Sequence, residues 1–422
     1  MSAAHAASYY ADSAAPAALR PPLRGLVSAE VCVVGGGIAG CSAALHLAER
    51  GYSTVLLEQH RVGWGASGRS GGQVIHGVAC GQGTLERLVG ATAARAAWDL
   101  ATEAVGLTRA LIARYRIECD WVDGYMLTGL KPRHDRQLRA EIDELHRRYD
   151  YHSVRYMPRE EVRAVLAGTR YLSAMFDANG GHLHPLAYTR GLATAAERAG
   201  ARLFEGTRAV QIAPGCVRTE CGEVHARRIV LCGNAYLGAL APALEEKIVP
   251  VATHLIATEP LGQERARALI ANNAAVSDMN WALDYFRRTA DHRLLFGGAI
   301  SYGGPGQLAA RAANRARMLR VFPQLAAARI EYTWGGLLDL TANRAPHFGR
   351  LAPEVYFLQG FSGHGIALAG IAGKLVAEAL AGQAERFDVF ARIPHRSFPG
   401  GALARRPLLA LAMLYYRLRD LL

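Results

Sequence analysis

Two short segments near the start of the chain flank a glycine cluster and a helical pattern. Residues 31–34 form a continuous apolar run, which is typical of a buried strand. After the glycines, apolar residues recur at helical spacing as far as Glu49, and residues 53–57 predict a second buried strand that ends at Glu58. The pattern predicts a strand, a tight glycine turn, a helix and a second strand.

The middle of the chain is predicted to be mainly helical. Apolar residues at helical spacing predict one or two long helices over residues 84–116, with Trp98 as a core anchor. Residues 132–149 predict a helix whose Arg and Glu residues form a solvated face. The other predictions are a strand pair at 120–130, a short helix that opens at Pro158, a turn at 180–185, a helix at 186–199 and a strand at 201–204.

Strand-like patterns dominate the second half. Residues 207–233 predict a hairpin that turns at Cys221 and ends in a buried strand, which we expect in a parallel sheet that returns to the first strand. Residues 248–340 predict an antiparallel sheet, interrupted by a helix over residues 308–322. Residues 355–380 repeat the order strand, glycine loop and helix.

The composition of the 422 residues is that of a globular protein, with 51% hydrophobic and 20% charged residues. The net charge of +12 is carried almost entirely by arginine, since the only lysines are Lys131, Lys247 and Lys374. Two explanations stay open: codon composition in a GC-rich genome, or attraction of an anionic cofactor and a carboxylate-bearing substrate. The arginines are dispersed rather than clustered, which argues against nucleic-acid binding.

Seven cysteines, an odd number without metal-ligand spacing, favour a reducing cytoplasm. The chain does not open with a basic segment and an apolar core, and no uninterrupted apolar run reaches the length of a membrane span. We therefore expect neither a signal peptide nor a membrane span. His182 and His184 alternate along the chain without a third ligand nearby, so we expect no metal site.

The first glycine cluster has the pattern of a dinucleotide site. Gly35 is placed to make the tight turn, Gly37 to let the backbone approach a pyrophosphate, and Gly40 to let the helix pack closely on the strand. Glu58 is placed to accept hydrogen bonds from an adenosine ribose. The predicted cofactor-binding residues of this unit are Gly35, Gly36, Gly37, Ile38, Ala39, Gly40 and Glu58.

Two further glycine-rich loops favour FAD over NAD, because FAD is held at its adenosine, at its pyrophosphate and at its isoalloxazine. The second loop brings backbone N–H groups, together with Ser67 and Arg69, to an anionic ligand. The helix after the third loop points its N-terminus at a ligand, which suits the electron-rich edge of a reduced flavin. The predicted contacts are Gly65, Ala66, Ser67, Gly68, Arg69, Gly71, Gly72 and Gln73, then Gly360, Ser362, Gly363, His364 and Gly365, with Val210 and Gly233 from the returning segment.

Seven segments resemble the D-amino-acid-oxidase type of FAD-dependent oxidoreductase, and within it the gamma-glutamylputrescine oxidase branch. They are residues 33–37, 57–58, 65–73, 284–287, 293–298, 343–346 and 360–365. The similarity runs nearly from end to end, and it includes residues 8–10 and the tail from Phe398. The segments 65–73 and 343–346 narrow the resemblance to the branch.

The resemblance implies a fold of the α/β class, with mixed α+β character. In that fold a Rossmann-like domain binds FAD and an antiparallel-sheet substrate domain covers the isoalloxazine. We expect an N-terminal arm at residues 1–26 and a C-terminal helical tail at 391–422. The discontinuous FAD-binding domain is expected at 27–115, 180–245 and 341–390, and the substrate domain at 116–179 and 246–340.

The resemblance also implies oxidation of the C–N bond of an amine or amino acid, and it alone suggests a gamma-glutamylputrescine-like substrate. The implied reaction is hydride transfer to the flavin, hydrolysis of the imine and reoxidation by O2 to give H2O2. It requires no dedicated catalytic base. The protein's part is to position the amine, keep it unprotonated and exclude water.

Five residues are candidates for the reacting end of the site. His364 is the first, because it lies at a predicted helix N-terminus; the alternative is a structural histidine. Tyr285, Arg287 and Trp334 are candidates on the substrate side, and His76 is a further one. Arg287 either pairs with a substrate carboxylate or is an exposed strand arginine.

Two departures from relatives bear on the chemistry. Sarcosine-oxidase-like members attach the flavin to a late cysteine, whereas this chain has no cysteine after Cys232, so we expect non-covalent FAD. Those members also place a lysine near the flavin to help oxygen react, and residues 293–298 contain none. A dehydrogenase that passes electrons to another acceptor is therefore an alternative. The amphipathic residues 408–422 suggest that such an enzyme docks on a membrane and reduces a quinone. The other interpretation of this tail is a helix that packs on the protein. A non-catalytic dinucleotide-binding module is a remote alternative.

Overall fold

The structure, a computed structural model, describes residues 4–301 and 307–398. Its helices are α1 (Tyr9–Ser13), α2 (Ile38–Glu49), α3 (Gln82–Val89), α4 (Ala91–Tyr115), α5 (Pro132–Tyr149), α6 (Arg159–Val165), α7 (Pro185–Arg198), α8 (Pro242–Glu245), α9 (Gln263–Leu269), α10 (Gln307–Val321), α11 (Gly365–Leu380) and α12 (Glu385–Ala391). Its strands are β1 (Gly25–Val34), β2 (Thr54–Leu57), β3 (Gln73–Val74), β4 (Val122–Gly129), β5 (Val154–Met157), β6 (Ser173–His182), β7 (Arg202–Phe204), β8 (Ala209–Ala213), β9 (Cys216–Thr219), β10 (Gly222–Leu231), β11 (Ile248–Thr258), β12 (Ala275–Asp278), β13 (Tyr285–Arg288), β14 (Leu294–Ser301), β15 (Ile330–Thr341), β16 (His347–Ala352) and β17 (Val355–Gln359).

The first sheet has the order β16-β17-β10-β1-β2-β7, and its central strands are parallel. The apolar ends of β1 and β10 lie side by side, with Val34 opposite Leu231. This confirms that the chain returns to the first strand after the long insertion. The carboxyl ends of parallel strands meet at one edge, where an open α/β sheet binds its ligand.

Helices cover this sheet because their small residues allow close approach. In α11, a Cβ added at Gly373 would lie 2.4 Å from the backbone nitrogen of Ala43 in α2. The Ser42 hydroxyl donates to the Gly370 carbonyl at 2.6 Å in the same contact. Both helices join one large apolar cluster with α4 and α7, and this cluster fixes the direction in which α2 and α11 point.

The second sheet has the order β15-β11-β14-β13-β12-β4-β6-β3, and β5 pairs with β6. Its pairs are antiparallel except for β4 and β12, which are parallel. The two sheets confirm the α/β fold class with mixed character. The division into domains at the boundaries given above stays a prediction.

Several predicted elements differ from the structure. Residues 120–130 form one bulged strand, not a pair, since Gly124 has φ +102° and β4 continues through it. Residues 180–182 belong to β6 rather than to a turn, because β3 and β4 pair with them. The segment 207–233 has three strands, with a first turn at Gly215, which has φ +73°. Pro158 is the residue before α6, not its first residue.

The N-terminal arm is anchored by two buried aromatic side chains. Tyr9 and Tyr10 form a single helical turn, and both pack in a cluster with Leu186 of α7 and Trp334 of β15. The side chain of Ser8 caps this turn by accepting from the Ala11 N–H at 3.2 Å. The arm therefore packs against a helix, α7, and against a strand of the second sheet, β15. None of the described helices is long and apolar enough to cross a membrane, and residues 408–422 lie outside the described part of the chain.

Candidate cofactor and substrate cavity

A cavity of about 980 Å³ lies where the two sheets face each other. One wall comes from the N-termini of α2 and α11 and from the loop after β2. The opposite wall comes from β4, β12 and β13 of the second sheet and from one face of α5. This volume is near the upper end of the range of about 300–1,000 Å³ for small-molecule and cofactor sites.

The turn between β1 and α2 brings bare backbone to the cavity. Gly35 has φ +112°, a conformation that side chains disfavour, and a Cβ there would lie 2.8 Å from the carbonyl carbon of Cys232. A Cβ at Gly40 would lie 1.9 Å from the Gly35 carbonyl oxygen. Because neither position has room for a side chain, α2 starts directly behind the strand end and its first N–H groups face the cavity.

The second glycine loop supports this helix start. The Ser67 hydroxyl accepts from the Ile38 N–H at 3.0 Å, and a Cβ at Gly37 would lie 2.9 Å from the same oxygen. Gly37, Ile38, Ala39, Ala66 and Ser67 all line the cavity. The two loops therefore form one surface of backbone and a hydroxyl, as a pyrophosphate requires.

Glu58 closes the same turn from the end of β2. Its carboxylate accepts from the Gly36 N–H at 2.7 Å and from the His60 N–H at 2.8 Å. Burial raises the pKa of Glu58 to about 7, an effect that these two backbone donors oppose and the charge of Glu205 reinforces. The carboxyl is thus held against the glycine turn, where the sequence pattern places a ribose contact.

Arg69 is fixed by its neighbours instead of reaching freely towards a phosphate. Its Nε donates to the Trp64 carbonyl at 2.7 Å and its guanidinium lies 4.2 Å from the centre of the Trp64 ring. A second nitrogen donates to the Gly335 carbonyl at 3.2 Å. Arg69 still lines the cavity, so its positive charge acts on the cavity while its side chain is held by these contacts.

Arg287 and Trp334 lie behind the cavity wall, which corrects the expectation that they face a substrate. The guanidinium of Arg287 donates to the carbonyls of Gly71 at 2.7 Å and Leu183 at 3.0 Å, and to the Tyr10 hydroxyl at 3.0 Å. Trp334 is fully buried, and its Nε1 donates to the Arg69 carbonyl at 3.0 Å. Both side chains hold the second glycine loop.

The reason is the spacing along β13. Tyr285 and Arg287 point to the same face because side chains alternate along a strand. Tyr285 lines the cavity, and a Cβ at Gly71 would lie 2.8 Å from its ring. Arg287 is two residues further, about 7 Å along the strand, and there it meets the buried arm.

The third glycine loop turns sharply into α11. Ser362 and Gly363 have φ of +52° and +97°, and the Ser362 N–H donates to the Asp339 carbonyl at 3.1 Å. The Gly360 N–H donates to the buried carboxylate of Asp339. The N-terminus of α11 is thereby directed into the cavity, which Ser362, Gly363, His364 and Gly365 line.

His364 is the residue immediately before α11, at the helix N-terminus. Desolvation, followed by the charges of Arg344 and His76, lowers the pKa of His364 to about 3. The imidazole is therefore neutral in the physiological pH range. A neutral ring at a helix N-terminus can offer a lone pair or one N–H to a bound ring system.

His76 belongs to a buried hydrogen-bonded group on the opposite side. Its Nδ1 lies 2.8 Å from the Asp177 carboxylate, which is fully buried. The Tyr151 hydroxyl donates to both oxygens of that carboxylate at 3.0 Å. The His76 ring packs against Trp98, with 5.3 Å between ring centres, and it lines the cavity.

One face of α5 lines the cavity, while most of the charged side chains of this helix are solvated, as the sequence predicts. Gln137, Glu141 and Glu144 recur at intervals of four and three residues, so they share one side of the helix. All three line the cavity, and Glu141 is also exposed, which places it where the cavity opens to solvent. Trp98, interpreted as a core anchor, packs in the core and lines the same region.

The remaining predicted positions divide into five glycines that shape the site without lining it and three residues that line it. Gly36, Gly65, Gly68, Gly233 and Gly360 each have a neighbour within 3.1 Å of a Cβ added there, so they allow close packing of the loops. The amide of Gln73 lines the cavity and bonds to the Val276 carbonyl and the Ser277 hydroxyl. Gly71 and Gly72 line the cavity too.

Val210 is not among the residues that line the cavity, and its assignment as a cofactor contact stays a prediction. Its side chain is 48% exposed on β8. The contact between this segment and the end of β2 is made earlier, at Thr207, whose N–H donates to the Glu58 carbonyl at 2.8 Å. The sequence pattern identified the returning segment but not the residue that touches it.

Several lining residues carry no local sequence signal. They include Asn234, Asp339 and Thr341 near the third loop and Tyr125, Ser277, Asp278 and Trp281 on the second sheet. Burial and the charge of Asp284 raise the pKa of Asp278 to about 7. These positions become neighbours only through pairing of distant strands. For α5, by contrast, the four-three spacing of polar residues was a usable signal.

The two alternating histidines have structural partners. His182 lies 2.9 Å from the Asn273 carbonyl, and His184 accepts from the Ala187 N–H at 3.1 Å while contacting Ser13. Within the described residues, Cys216, Glu223 and His225 bring three potential metal-ligand atoms within 4.8 Å of one another. This surface group does not line the cavity.

The residues of the cavity fit FAD. The N-termini of α2 and α11 line the cavity, and a Cβ at Gly37 would lie 2.9 Å from the Ser67 hydroxyl oxygen, so only a glycine leaves this surface open to a ligand. Glu58 and Asp339 provide buried carboxylates at the first and third loops. A diphosphate and a flat ring system match the backbone donors at one wall and the α11 N-terminus.

Comparisons with known proteins agree with this architecture. The family described as FAD dependent oxidoreductase matches residues 30–379. Gamma-glutamylputrescine oxidoreductase of Escherichia coli (strain K12) is 41% identical over 422 residues, which cover 99% of this chain and 98% of that protein. The probable oxidoreductase OrdL of Haemophilus influenzae is 39% identical over 424 residues, 99% of this chain and 97% of that protein.

Solved structures share the fold at lower identity. Glycine oxidase from Geobacillus kaustophilus aligns with a TM-score of 0.72 at 20% identity, over 84% of this chain and 95% of that chain. L-proline dehydrogenase from P. horikoshii aligns with a TM-score of 0.70 at 21% identity, over 86% and 94%. The resemblance drawn from the seven sequence segments is confirmed: this chain belongs to the family of FAD-dependent oxidoreductases.

Proposed function

We propose that this protein oxidises the C–N bond of an amine or amino acid that carries a positive charge at neutral pH. The observation that supports this is the charge of the cavity wall opposite the glycine loops. Glu141 and Glu144 of α5 and Asp278 of β12 line that wall, and Glu144 is paired with Arg148 at 2.6 Å. Desolvation raises the pKa of Glu141 and Asp278, so a bound cation would favour the ionised form of both. A carboxylate-rich, partly enclosed site attracts cations and disfavours anions.

The same wall is suited to an alkyl chain. Trp98, Tyr125, Tyr149 and Trp281 line it among the carboxylates. Aromatic faces bind methylene groups through apolar contact and attract an ammonium group. The combination fits a diamine or an aminoalkyl substrate. Since one similar protein is named gamma-glutamylputrescine oxidoreductase, we propose gamma-glutamylated polyamines as the first substrates to test.

Bound FAD would accept a hydride from the carbon next to nitrogen, which is chemistry that the side chains cannot supply. The chain's own residues bind and orient the amine between Tyr285 on one side and His364 on the other, both of which line the cavity. Water then adds to the released imine and gives a carbonyl compound and ammonia. With O2 as the acceptor, amine, O2 and water yield carbonyl compound, ammonia and H2O2.

We propose that FAD is held without a covalent bond. Of the described cysteines, Cys232 lines the cavity, but it lies behind the glycine turn, 3.4 Å from a Cβ added at Gly40. Burial raises the pKa of the Cys232 thiol well above its usual range. A protonated thiol is a poor nucleophile. Acid precipitation should release all of the yellow chromophore into the supernatant.

All seven cysteines are unpaired, which supports a cytoplasmic enzyme.

A dehydrogenase that passes electrons to a quinone is the second candidate. The supporting observation is that the described residues lining the cavity include two cations, Arg69 and Arg344, but no lysine. In sarcosine-oxidase-like members a lysine near the flavin helps oxygen react. The fold does not decide between the two, because both an oxidase and a dehydrogenase share it.

The test is anaerobic reduction of the holoenzyme. Polyamines, glutamylated polyamines, N-methyl amino acids and D-amino acids are added separately, and bleaching of the flavin band is followed. We expect bleaching by at least one amine with a second charged group. Air is then admitted and H2O2 is measured. Rapid reoxidation with one H2O2 per turnover supports the oxidase, and slow reoxidation that a soluble quinone accelerates supports the dehydrogenase. A flavin that no amine reduces contradicts the proposal.

A further inference from the structure

We infer that His76 accepts the proton that an ammonium substrate must lose before oxidation, and that Asp177 positions His76 for this step. The inference rests on the proposed function, since it assigns a residue to a reaction of amines. His76 and Asp177 form the histidine–aspartate pair, and the aromatic rings of Trp98 and Tyr151 pack against His76. These four residues come from the segment after β3, from β6, from α4 and from the loop before β5.

Hydride transfer itself requires no base, but a base in the site would let the protonated form of the amine bind and react. An alkylammonium has a pKa of about 10, so only about one molecule in 10³ is neutral at pH 7. Hydride leaves carbon only when the nitrogen lone pair is available to form the C=N bond. A base within the site allows the abundant ammonium form to bind and to react, provided that its own pKa lies near the working pH.

Asp177 determines which nitrogen of His76 is basic. An ionised carboxylate only accepts hydrogen bonds, so the Nδ1 of His76, at 2.8 Å, carries a hydrogen and donates it. In the neutral ring the lone pair is then on Nε2. The Asn179 N–H, at 2.9 Å, and the Tyr151 hydroxyl also donate to Asp177 and hold the carboxylate in place. Asp177 therefore acts as a positioning residue.

The surroundings of the ring favour this role. His76 has a side-chain exposure of 9% while lining the cavity, and the rings of Trp98 and Tyr151 lie 5.3 and 5.0 Å from it, measured between ring centres. The charged and titratable groups that face it are Asp177 and Tyr151 on one side, Glu141 of α5, and His364 before α11.

The proton step is balanced. One N–H bond of the substrate ammonium breaks and its electron pair stays on nitrogen, while the proton forms an N–H bond with Nε2 of His76. No electrons are gained or lost. The resulting imidazolium faces the carboxylate of Asp177, which stabilises its charge in a site of low polarity.

The test compares H76N, D177N and the control H152N as holoenzymes. An Asn amide can still donate to Asp177 but has no basic nitrogen. His152 is a matched control because it also pairs with an aspartate, Asp150, at 2.8 Å, but on the surface. The rate of anaerobic flavin bleaching by one amine is measured from pH 6 to 10. A second readout, independent of turnover, is the pH dependence of the Kd of an amine without hydrogen on the carbon next to nitrogen, followed by the flavin spectrum.

We expect H76N to bleach at least about 100-fold more slowly at pH 7 and to recover as the pH approaches that at which the free amine is neutral. In H76N the Kd should improve only at that higher pH. D177N should lower the rate about 10-fold and move the acidic limb to lower pH, because the imidazolium loses its counter-charge. H152N should match the wild type.

Wild-type profiles in both H76N and D177N would overturn the inference. Should H76N not fold, an unchanged acidic limb in D177N overturns the role of Asp177 and with it the pair. If no amine bleaches the wild-type flavin, the proposed function fails instead, and the Kd titration still shows whether His76 receives a proton from a bound amine.

Discussion

The two walls of the cavity present different parts of the polypeptide. The wall that we assign to FAD, the cofactor wall, consists mostly of backbone: the glycine turn after β1, the loop from Gly65 to Gln73 and the start of α11. The wall that we assign to the amine, the substrate wall, consists of side chains, among them Tyr285, Asp278 and Glu141. FAD is the same molecule in every family member, so its wall depends on where glycine is required. The substrate wall depends on which charges distant segments bring together.

This difference separates two kinds of expected failure. A substitution on the cofactor wall should act by steric exclusion, which the neighbouring backbone cannot relieve. A substitution on the substrate wall should change affinity by the value of one charge or hydrogen bond, with the flavin still bound.

The largest effect is expected for G40A. The added Cβ would lie 1.9 Å from the Gly35 carbonyl oxygen, so α2 must move away from the strand and withdraw its N-terminal N–H groups from the pyrophosphate. We expect FAD affinity to fall more than about 100-fold, which corresponds to about 3 kcal/mol. The ratio of flavin to protein absorbance after gel filtration measures it. G106A is the control, because nothing lies within 4 Å of a Cβ at Gly106 in α4; full flavin content in G40A would contradict the account.

R287M should mainly affect stability. It leaves the Gly71 and Leu183 carbonyls and the Tyr10 hydroxyl without their buried donor. We expect a loss of about 3 kcal/mol in the free energy of unfolding, together with a less firmly held second loop. Urea denaturation of the apoprotein measures it. R288M is the control: it removes a partly exposed neighbour whose guanidinium donates to the Ile270 carbonyl at 3.1 Å, and it should cost less than about 1 kcal/mol.

Glu58 should make apoprotein stability depend on pH. Its folded-state pKa of about 7 lies above its ordinary value of 4.5, so folding favours the protonated carboxyl. Its contribution is fully present below about pH 4.5 and is lost as the pH rises towards 7. E58Q removes this dependence. Between pH 4.5 and 7 the free energy of unfolding of the wild type should therefore fall by about 1–3 kcal/mol more than that of E58Q. Parallel stability curves from pH 4.5 to 7 would show that Glu58 is not buried in this way.

The smallest effect is expected on the substrate wall. E141Q should raise the KM for a dicationic amine about 5-fold, with unchanged flavin content and with a smaller effect at high salt. E144Q should change KM less, because Glu144 already pairs with Arg148 at 2.6 Å. D143N, on another face of the same helix, should have no effect. Equal KM values in E141Q and D143N would remove α5 from the substrate site.

The cofactor wall was largely predictable because its signals are local. Gly35, Gly37 and Gly40 occur within six residues, and the strands, the turn and Glu58 follow from one β-α-β pattern. The partners of Arg287 could not be predicted, because they come from the N-terminal arm, the second loop and the segment before α7. The sequence shows the positive charge of Arg287, but it does not show that this side chain lies too far along β13 to line the cavity.

The substrate wall was predicted less well for a related reason. Asp177 looks like any strand aspartate until β6 brings it beside His76, and the two are separated by 101 positions. Asp278 lies in the substrate wall only because β12 pairs in parallel with β4. Glu141 could have been predicted, since its spacing from Gln137 and Glu144 places three polar residues on one helix face, but we interpreted the charged residues of this helix as solvated.

The most direct test of the contrast between the walls is anaerobic stopped-flow reduction of wild-type holoenzyme by an amine and by the alcohol of identical chain. Both molecules offer a hydride from carbon to the same FAD, but only the amine can carry the positive charge that a wall lined by carboxylates attracts. The account predicts that the amine bleaches the flavin and that the alcohol leaves it oxidised at equal concentration. Bleaching by the alcohol at a similar rate, or by neither, would contradict it.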